Sequence, residues 1–254
     1  MFTGFPYISL SIVIPERFQI VNREGVLMAG LHILPLLGAC AIGSFLGGAI
    51  SSKKNNTSFT LLGASCLQLL GVGLMSTMTK PDGYVKAQYA FQAIFGVGVG
   101  LSFSAATIMT SILAAERSEL ASAQGAVAQA RVLGGCIGLS VCTVIFNSHV
   151  NKYLQEHLTP TQLDNLHRSP LTSLHLPMGL QDLVKQVYAG AFAEEIKIMM
   201  LVCAVMVVIS LFTLERRPEP LERLTAFPKD ELSSRRGSDS ATEMTDISSA
   251  ERCV

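Results

Sequence analysis

The stretch GVLMAGLHILPLLGACAIGSFLGGAISS, residues 25–52, contains no Asp, Glu, Lys or Arg. A helix needs about 20 consecutive apolar residues to cross the roughly 30 Å hydrocarbon core of a bilayer, so this stretch is long enough to span it. Five further charge-free runs occupy residues 1–15, 55–79, 87–115, 132–151 and 198–214. Several such runs in one chain predict an all-α, multi-pass membrane protein.

The charged residues are concentrated at one end of the chain. They make up only 15% of the residues, against about a quarter in a typical soluble domain. Residues 215–254 hold 16 of the 38 charged residues, and their Pro-, Ser- and acid-rich composition is typical of disorder. The net charge of zero gives no indication of nucleic-acid binding. We therefore predict a transmembrane bundle over residues 1–214 and a disordered tail over residues 215–254.

The charge-free runs predict six membrane spans. The first span is short, and a long loop over residues 147–195 precedes the last. Within this loop, residues 180–187 have the pattern of a short amphipathic helix at the membrane surface. The predicted spans lie near residues 2–14, 28–50, 58–78, 89–112, 124–146 and 196–214.

Basic residues predict the orientation of the bundle. Lys53, Lys54 and Arg117 fall in short connections on one side, and two arginines follow the last span on that same side. Because short cytoplasmic connections are rich in Lys and Arg, this pattern predicts a cytoplasmic N-terminus, a cytoplasmic tail and an extracellular long loop. The overlapping glycosylation sequons at Asn55 and Asn56 then lie in the cytoplasm, so we expect them to carry no glycan.

Small residues recur at every fourth position in three of the predicted spans. This spacing lines one face of a helix and lets two backbones approach closely in lipid. It fits static packing, and it also fits helices that slide or rock past one another. Pro35 removes a backbone hydrogen bond in the second span and predicts a kink there. The candidate helix-packing residues are Gly43, Gly47, Gly96, Gly100, Gly134 and Gly138.

Few polar side chains fall within the predicted spans, and each is a candidate for the transport path or a gate. Intramembrane polar groups usually face the bundle interior or a water-filled path. For the glutamines, hydrogen bonding between helices is the alternative to substrate contact, and for the histidine a place at the interface is the alternative to proton transfer. No predicted span contains Asp or Glu, so no intramembrane proton-binding carboxylate is expected. The candidates are Arg131, Gln129, Gln124, Gln92, Gln68 and His32.

Arg131 is the strongest single candidate. It lies about 8–10 Å into the fifth predicted span at 1.5 Å per residue, so its side chain could extend back to the membrane surface. Gly135, Gly138 and Cys142 follow it at helical spacing, which places it on a packing face. The second interpretation is therefore a gate or anion contact on the cytoplasmic side.

The sequence contains no pattern typical of an enzyme. It lacks a GxSxG nucleophile elbow, a phosphate-binding loop and an HExxH motif. The histidines of the long loop, at His149, His157, His167 and His175, match no compact metal-ligand spacing. We expect no catalytic residue, no metal and no cofactor.

Five stretches resemble the major facilitator superfamily, in particular fungal multidrug-resistance-type efflux transporters with fourteen spans. The resemblance extends from residue 2 to about residue 214, with the matching stretches in the order expected. These are TGFPYISLSIVIPERFQIVN at residues 3–22, AGLHILPLLGACAIGSFLGG at 29–48, QARVLGGCIGLSV at 129–141, TPTQL at 159–163 and YAGAF at 188–192.

The resemblance covers only the second of the two six-span halves that such transporters contain. It implies a six-helix bundle equivalent to the C-terminal half, and export of drugs, toxins or secondary metabolites by alternating access, driven by a proton gradient. The implied partners are the lipid bilayer, a small-molecule substrate, and a missing N-terminal half or another transporter chain. The plasma membrane is the expected location, with the vacuolar membrane as the alternative. A truncated, non-transporting partner or regulator of a full-length transporter is the second functional hypothesis.

Overall fold

The computed structural model describes residues 1–22, 24–53, 57–77, 87–113, 117–155, 158–159, 166 and 178–213. These residues belong to one compact unit, Met1–Pro218. The predicted disordered tail and the two sequons lie outside the described residues. Throughout the described part of the chain the regular structure is helical.

Seven helices make up the part of the bundle that the structure describes. They are α1 Gly4–Ile20, α2 Val26–Leu31, α3 Leu34–Lys53, α4 Thr57–Ser76, α5 Ala87–Leu113, α6 Arg117–Leu154 and α7 Met178–Phe212.

Among the described residues, five segments are long and apolar enough to cross a membrane. Their bounds are Val26–Ile50, Thr57–Ser76, Ala87–Ile112, Glu119–Leu154 and Gly179–Phe212. The first combines α2 and α3, which are separated only by a turn at His32 and Ile33. Pro35 is the second residue of α3. Backbone N–H groups in the first turn of a helix have no intrahelical partner, so proline removes no helical hydrogen bond at this position. α1 has 17 residues and is one turn shorter than the shortest of the five, which has 20 residues.

The last two helices are longer than the sequence predicts. α6 continues to Leu154 and α7 begins at Met178, so much of the loop predicted over residues 147–195 is helical. The predicted spans were built around the charge-free runs, but Lys152 and Lys197 lie on exposed faces of the longer helices. The segment predicted as a separate surface helix, residues 180–187, is the start of α7, and it buries Val184 and Val187.

The short α2 packs against α1, and each of the other described helices packs against two or three neighbours. α5 packs against both α3 and α4, α4 also packs against α7, and α1 packs against both α6 and α7. Several large apolar side chains face outward, among them Phe45 at 77% exposed, Leu27 at 79% and Phe212 at 87%. In water such exposure would be costly, whereas in lipid it places apolar side chains against hydrocarbon. The bundle is therefore built to sit in a bilayer.

Glycines lie where the helices approach most closely. A Cβ on Gly43 would lie 2.9 Å from the Cα of Val97, and a Cβ on Gly47 would lie 2.8 Å from the Cβ of Ser104. On the other side of the same α3–α5 contact, Gly96 and Gly100 face the backbone carbonyls of Leu36 and Cys40. Because real side chains cannot approach so closely, these positions hold the two backbones together only as glycine.

The contact between α1 and α6 has the same construction. A Cβ on Gly138 would lie 2.7 Å from the Ser9 hydroxyl oxygen, and a Cβ on Gly134 would overlap the backbone of Met1. The sequence pattern did not single out Gly4, whose missing side chain lets α1 pass against the carbonyl of Arg131.

Candidate functional site

Arg131 lies at the junction of α1, α5 and α6. Its guanidinium carbon is 3.8 Å from the centroid of the Phe103 ring, and the side chain is half-buried. Phe103 in turn meets Tyr7 of α1 edge-on, with ring centroids 5.4 Å apart. A cation over an aromatic face contributes about 0.5–2 kcal/mol, more when water is excluded. The arginine therefore contacts a neighbouring helix inside the bundle.

The other two polar candidates of α6 differ in their surroundings. The amide nitrogen of Gln124 donates to the carbonyl oxygen of Thr107 at 2.9 Å and to the hydroxyl oxygen of Ser111 at 3.1 Å. Gln124 thereby connects α6 to α5, as the packing interpretation requires. Gln129 is exposed on the surface of the bundle.

Gln68 and Gln92 are fully buried, on α4 and α5 respectively. The amide nitrogen of Gln68 donates to the carbonyl oxygen of Gly98 at 3.2 Å. Within the described residues, the amide oxygen of Gln68 and both amide atoms of Gln92 have no hydrogen-bond partner. Gln68 is thus partly engaged in helix packing, while Gln92 has hydrogen-bonding capacity that the described residues leave unused.

His32 lies in the turn between α2 and α3 rather than within a continuous helix. Its Nε2 is 2.5 Å from a carboxylate oxygen of Glu24, and its Nδ1 is 2.5 Å from the Tyr89 hydroxyl oxygen. The imidazole ring also stacks on Phe18, with centroids 4.0 Å apart. Both ring nitrogens therefore have partners, and His32 connects α5 to the chain between α1 and α3.

Two acidic residues that the sequence pattern missed share one cavity. Glu16 of α1 and Glu195 of α7 line a space of about 220 Å³ between α1, α6 and α7. Glu195 is 3% exposed, and its Oε2 has no hydrogen-bond partner among the described residues. Glu195 therefore lies within a segment long and apolar enough to cross a membrane, just outside the span predicted near residues 196–214.

The prediction missed Glu195 because its spans followed the charge-free runs. Glu195 lies just before the last charge-free run, so the prediction placed it in a loop. A helical periodicity does pass through it, because Tyr188, Phe192 and Met199 share its face and are all buried. That apolar stripe is the signal in the sequence by which Glu195 could have been found.

Aromatic and small polar groups complete the wall of this cavity. Phe146 and Tyr188 both line it, with ring centroids 5.1 Å apart. Outside the lining, Phe192 packs on Phe146 at 5.3 Å between centroids. Cys142 and Thr143 line the same space from α6. Across the ranges that the structure describes, no three His, Cys, Asp or Glu side chains come together in the way a metal ion would need.

These features define the class of protein. Long apolar helices, outward-facing apolar side chains, glycine-lined helix contacts and a few polar groups in the interior are the properties of a multi-pass helical membrane protein.

Comparison with known proteins identifies the family. No protein-family model matches the chain. The chain is 33% identical over 218 residues to the MFS-type transporter FPY5 of Fusarium mangiferae, a match covering 85% of this chain and 36% of the relative. It is 27% identical over 187 residues to the MFS-type efflux transporter ffsH of Aspergillus flavipes, covering 72% and 32% respectively. The efflux pump aflT of Aspergillus parasiticus is 25% identical over 170 residues, covering 65% and 31%.

The chain belongs to the major facilitator superfamily, as the sequence resemblance indicated. It spans about a third of the length of the curated relatives it matches. Those relatives are named as transporters and efflux pumps, so this is a family of membrane transport proteins and not of enzymes.

Proposed function

We propose that this chain forms the C-terminal half-bundle of a transporter that exports small organic compounds in exchange for protons. The observation that carries the proposal is the 33% identity over 218 residues to an MFS-type transporter. Relatives named as efflux pumps support the direction of transport. The matching stretches at residues 3–22 and 129–141 support assignment to the second half.

The proposed mechanism is alternating access. Transporters of this superfamily bind substrate between two halves, which rock against each other around the site. Glycine-lined contacts, such as those of Gly43 and Gly138, suit this motion because smooth helix faces can slide with few side-chain clashes. Under this proposal the substrate contacts require a second half-bundle in addition to the described helices.

Arg131 is proposed as a gate residue rather than a snorkelling one. Its stacking on Phe103 directs the guanidinium toward α5, and the α1 backbone passes close to it. A gate at the meeting point of three helices would respond to any movement of α1 relative to α6. Gln92 is the second proposed path residue, because its buried amide has hydrogen-bonding capacity that the described residues do not use.

The proposed location is the plasma membrane, with the vacuolar membrane as the alternative and the tail in the cytoplasm. The positive-inside pattern at Lys53, Lys54 and Arg117 supports this orientation. A cysteine-accessibility assay on intact cells, with a single reporter cysteine placed in the tail, tests it. Labelling of the tail from outside the cell would show that the orientation is the reverse of the proposed one.

A cell-based accumulation assay tests the transport proposal. The chain would be expressed in yeast that lacks its own efflux pumps, alone or with the part of the Fusarium mangiferae transporter outside the matched region. We expect lower steady-state accumulation of at least one of a panel of lipophilic dyes only when both parts are present. Stable co-purification of the two parts without any change in accumulation would favour the non-transporting partner instead.

A further inference from the structure

Glu195 occupies an unusual position for a carboxylate. It lies midway along the 35 residues of α7, is 3% exposed, and its Oε2 has no hydrogen-bond partner in the described part of the bundle. Keeping an ionised carboxylate in a low-dielectric interior without a partner costs several kcal/mol. The usual responses are a counter-cation or a bound proton.

The described residues around Glu195 offer no such counter-cation. α4 contains no Asp, Glu, Lys, Arg or His. α6 contributes the Cys142 thiol to the cavity and carries His149 and Lys152 further along, while α7 contributes the Tyr188 hydroxyl. The neighbouring Lys197 is 3.5 Å from Glu194, and both of these side chains are largely exposed.

α1 presents both signs of charge, in different places. Glu16 lines the same cavity as Glu195. Arg17 lines a separate, smaller pocket, to which α7 contributes Phe192 and Ile196 rather than Glu195. The group of α1 that faces Glu195 is therefore a second carboxyl, which opposes the ionisation of the first.

We propose that Glu16 and Glu195 form one proton-binding site that holds a single exchangeable proton. Two carboxyl groups that share one cavity do not both ionise readily, so one of them keeps its proton. The cavity volume of about 220 Å³ is enough for several water molecules, at roughly 30 Å³ each. The proton would pass between a carboxylate oxygen and this water, with no covalent bond to carbon formed or broken.

The role of this site in transport rests on the proposed function, whereas proton binding itself does not. In the transport cycle, the site would take up a proton when the cavity opens to the acidic side and release it after the bundle reorients. Proton binding would thereby couple the charge at Glu16 and Glu195 to the conformational change of the bundle.

Labelling with dicyclohexylcarbodiimide tests proton binding directly, because this apolar reagent reacts with protonated carboxyl groups. The full chain in detergent would be labelled from pH 5 to 9, and the adducts located by peptide mass spectrometry. We expect an adduct at Glu195 whose yield falls as the pH rises. Glu194→Gln is the matched control and leaves this labelling unchanged. In Glu16→Gln the pH at which Glu195 labelling falls to half is lower by about one unit or more, because the second carboxylate is gone.

Two results would overturn the assignment. One is the absence of a Glu195 adduct at every pH in a protein that labels elsewhere. The other is a pH midpoint of labelling that Glu16→Gln does not move. Suppression of labelling by tetraphenylphosphonium at constant pH would instead indicate an organic-cation site. Glu195→Gln, which has no carboxyl group at this position, loses the adduct. Glu195→Asp, which keeps a carboxyl group, retains pH-dependent labelling and covers the case in which Glu195→Gln does not fold. A site that titrates as expected in a chain that supports no export would refute the proposed function alone.

Discussion

The guanidinium carbon of Arg131 lies 3.8 Å above the ring of Phe103, so the one basic residue within the apolar part of α6 is stacked on α5. The same ring contacts Tyr7 of α1, and Gly4 lets the α1 backbone pass against the carbonyl of Arg131. One arginine therefore contacts or adjoins three helices of the bundle.

Replacing Arg131 by Lys tests the importance of this stacking. A planar guanidinium stacks on an aromatic face better than an ammonium does, so we expect the lysine variant to fold with lower stability. A double-mutant cycle with Phe103→Leu gives a coupling of about 0.5–2 kcal/mol in a denaturation titration in detergent. A coupling near zero would contradict the interior interaction. In a complete transporter, a lysine variant that folds but loses flux would support the gate, whereas full flux would favour snorkelling.

The glycine contacts of α3 give a paired test on a single helix. Gly43→Ala places a methyl group against the Val97 backbone, whereas a Cβ on Gly38 meets nothing within 4 Å. We expect Gly43→Ala to cost about 1–3 kcal/mol of stability, as overpacking does, and Gly38→Ala to cost little. The measurement is the fraction of monodisperse protein that remains after heating. Equal losses for both variants would mean that α3 and α5 do not approach as described.

Gln124 and Gln129 form a second matched pair. Gln124→Leu removes two hydrogen bonds from α6 to α5, and we expect a cost of about 0.6–2 kcal/mol. Gln129→Leu changes an exposed side chain and stays within about 0.5 kcal/mol of the original stability. Denaturation midpoints of the two variants under identical detergent conditions check this order. The reverse order would indicate that α6 is rotated relative to α5.

Phe45 tests which surface faces lipid. This side chain is 77% exposed on α3, so Phe45→Leu keeps an apolar group in hydrocarbon and leaves membrane insertion unchanged. Phe45→Lys places a charge there, with an insertion cost of up to about 2.5–3.5 kcal/mol near the bilayer centre. Quantifying inserted against non-inserted protein in a microsomal translation assay separates the two variants. Equal insertion would place Phe45 in a watery environment.

The sequence predicted the helical membrane class, and it singled out the candidate packing glycines, because both depend on local patterns. A run of 28 uncharged residues and a glycine at every fourth position are visible without any three-dimensional information. The placement of Glu195 was missed because its burial depends on α1 and α6 packing over one face of α7. The distinction between Gln68 and Gln92 also depends on tertiary structure, since only Gln68 lies opposite the carbonyl of Gly98.

The ends of α6 and α7 show a related limit. Charged residues such as Lys152 and Lys197 can occupy helices that extend beyond the hydrocarbon core, so a charge marks the edge of the apolar region rather than the end of the helix. Resemblance to a known family indicated what composition alone could not, namely membership of a superfamily of transporters.

Compound-evoked proton flux in proteoliposomes tests the central claim most directly. Vesicles with an acidic interior and a trapped pH-sensitive dye would contain this chain alone or its purified complex with the non-matching part of the Fusarium mangiferae relative. The half-bundle account predicts that adding a transported compound raises the internal pH only in vesicles that contain the complex. A rise of equal size in vesicles that contain this chain alone would contradict the account. So would the absence of a rise with an intact complex, if the compound is one whose accumulation the complex lowers in cells.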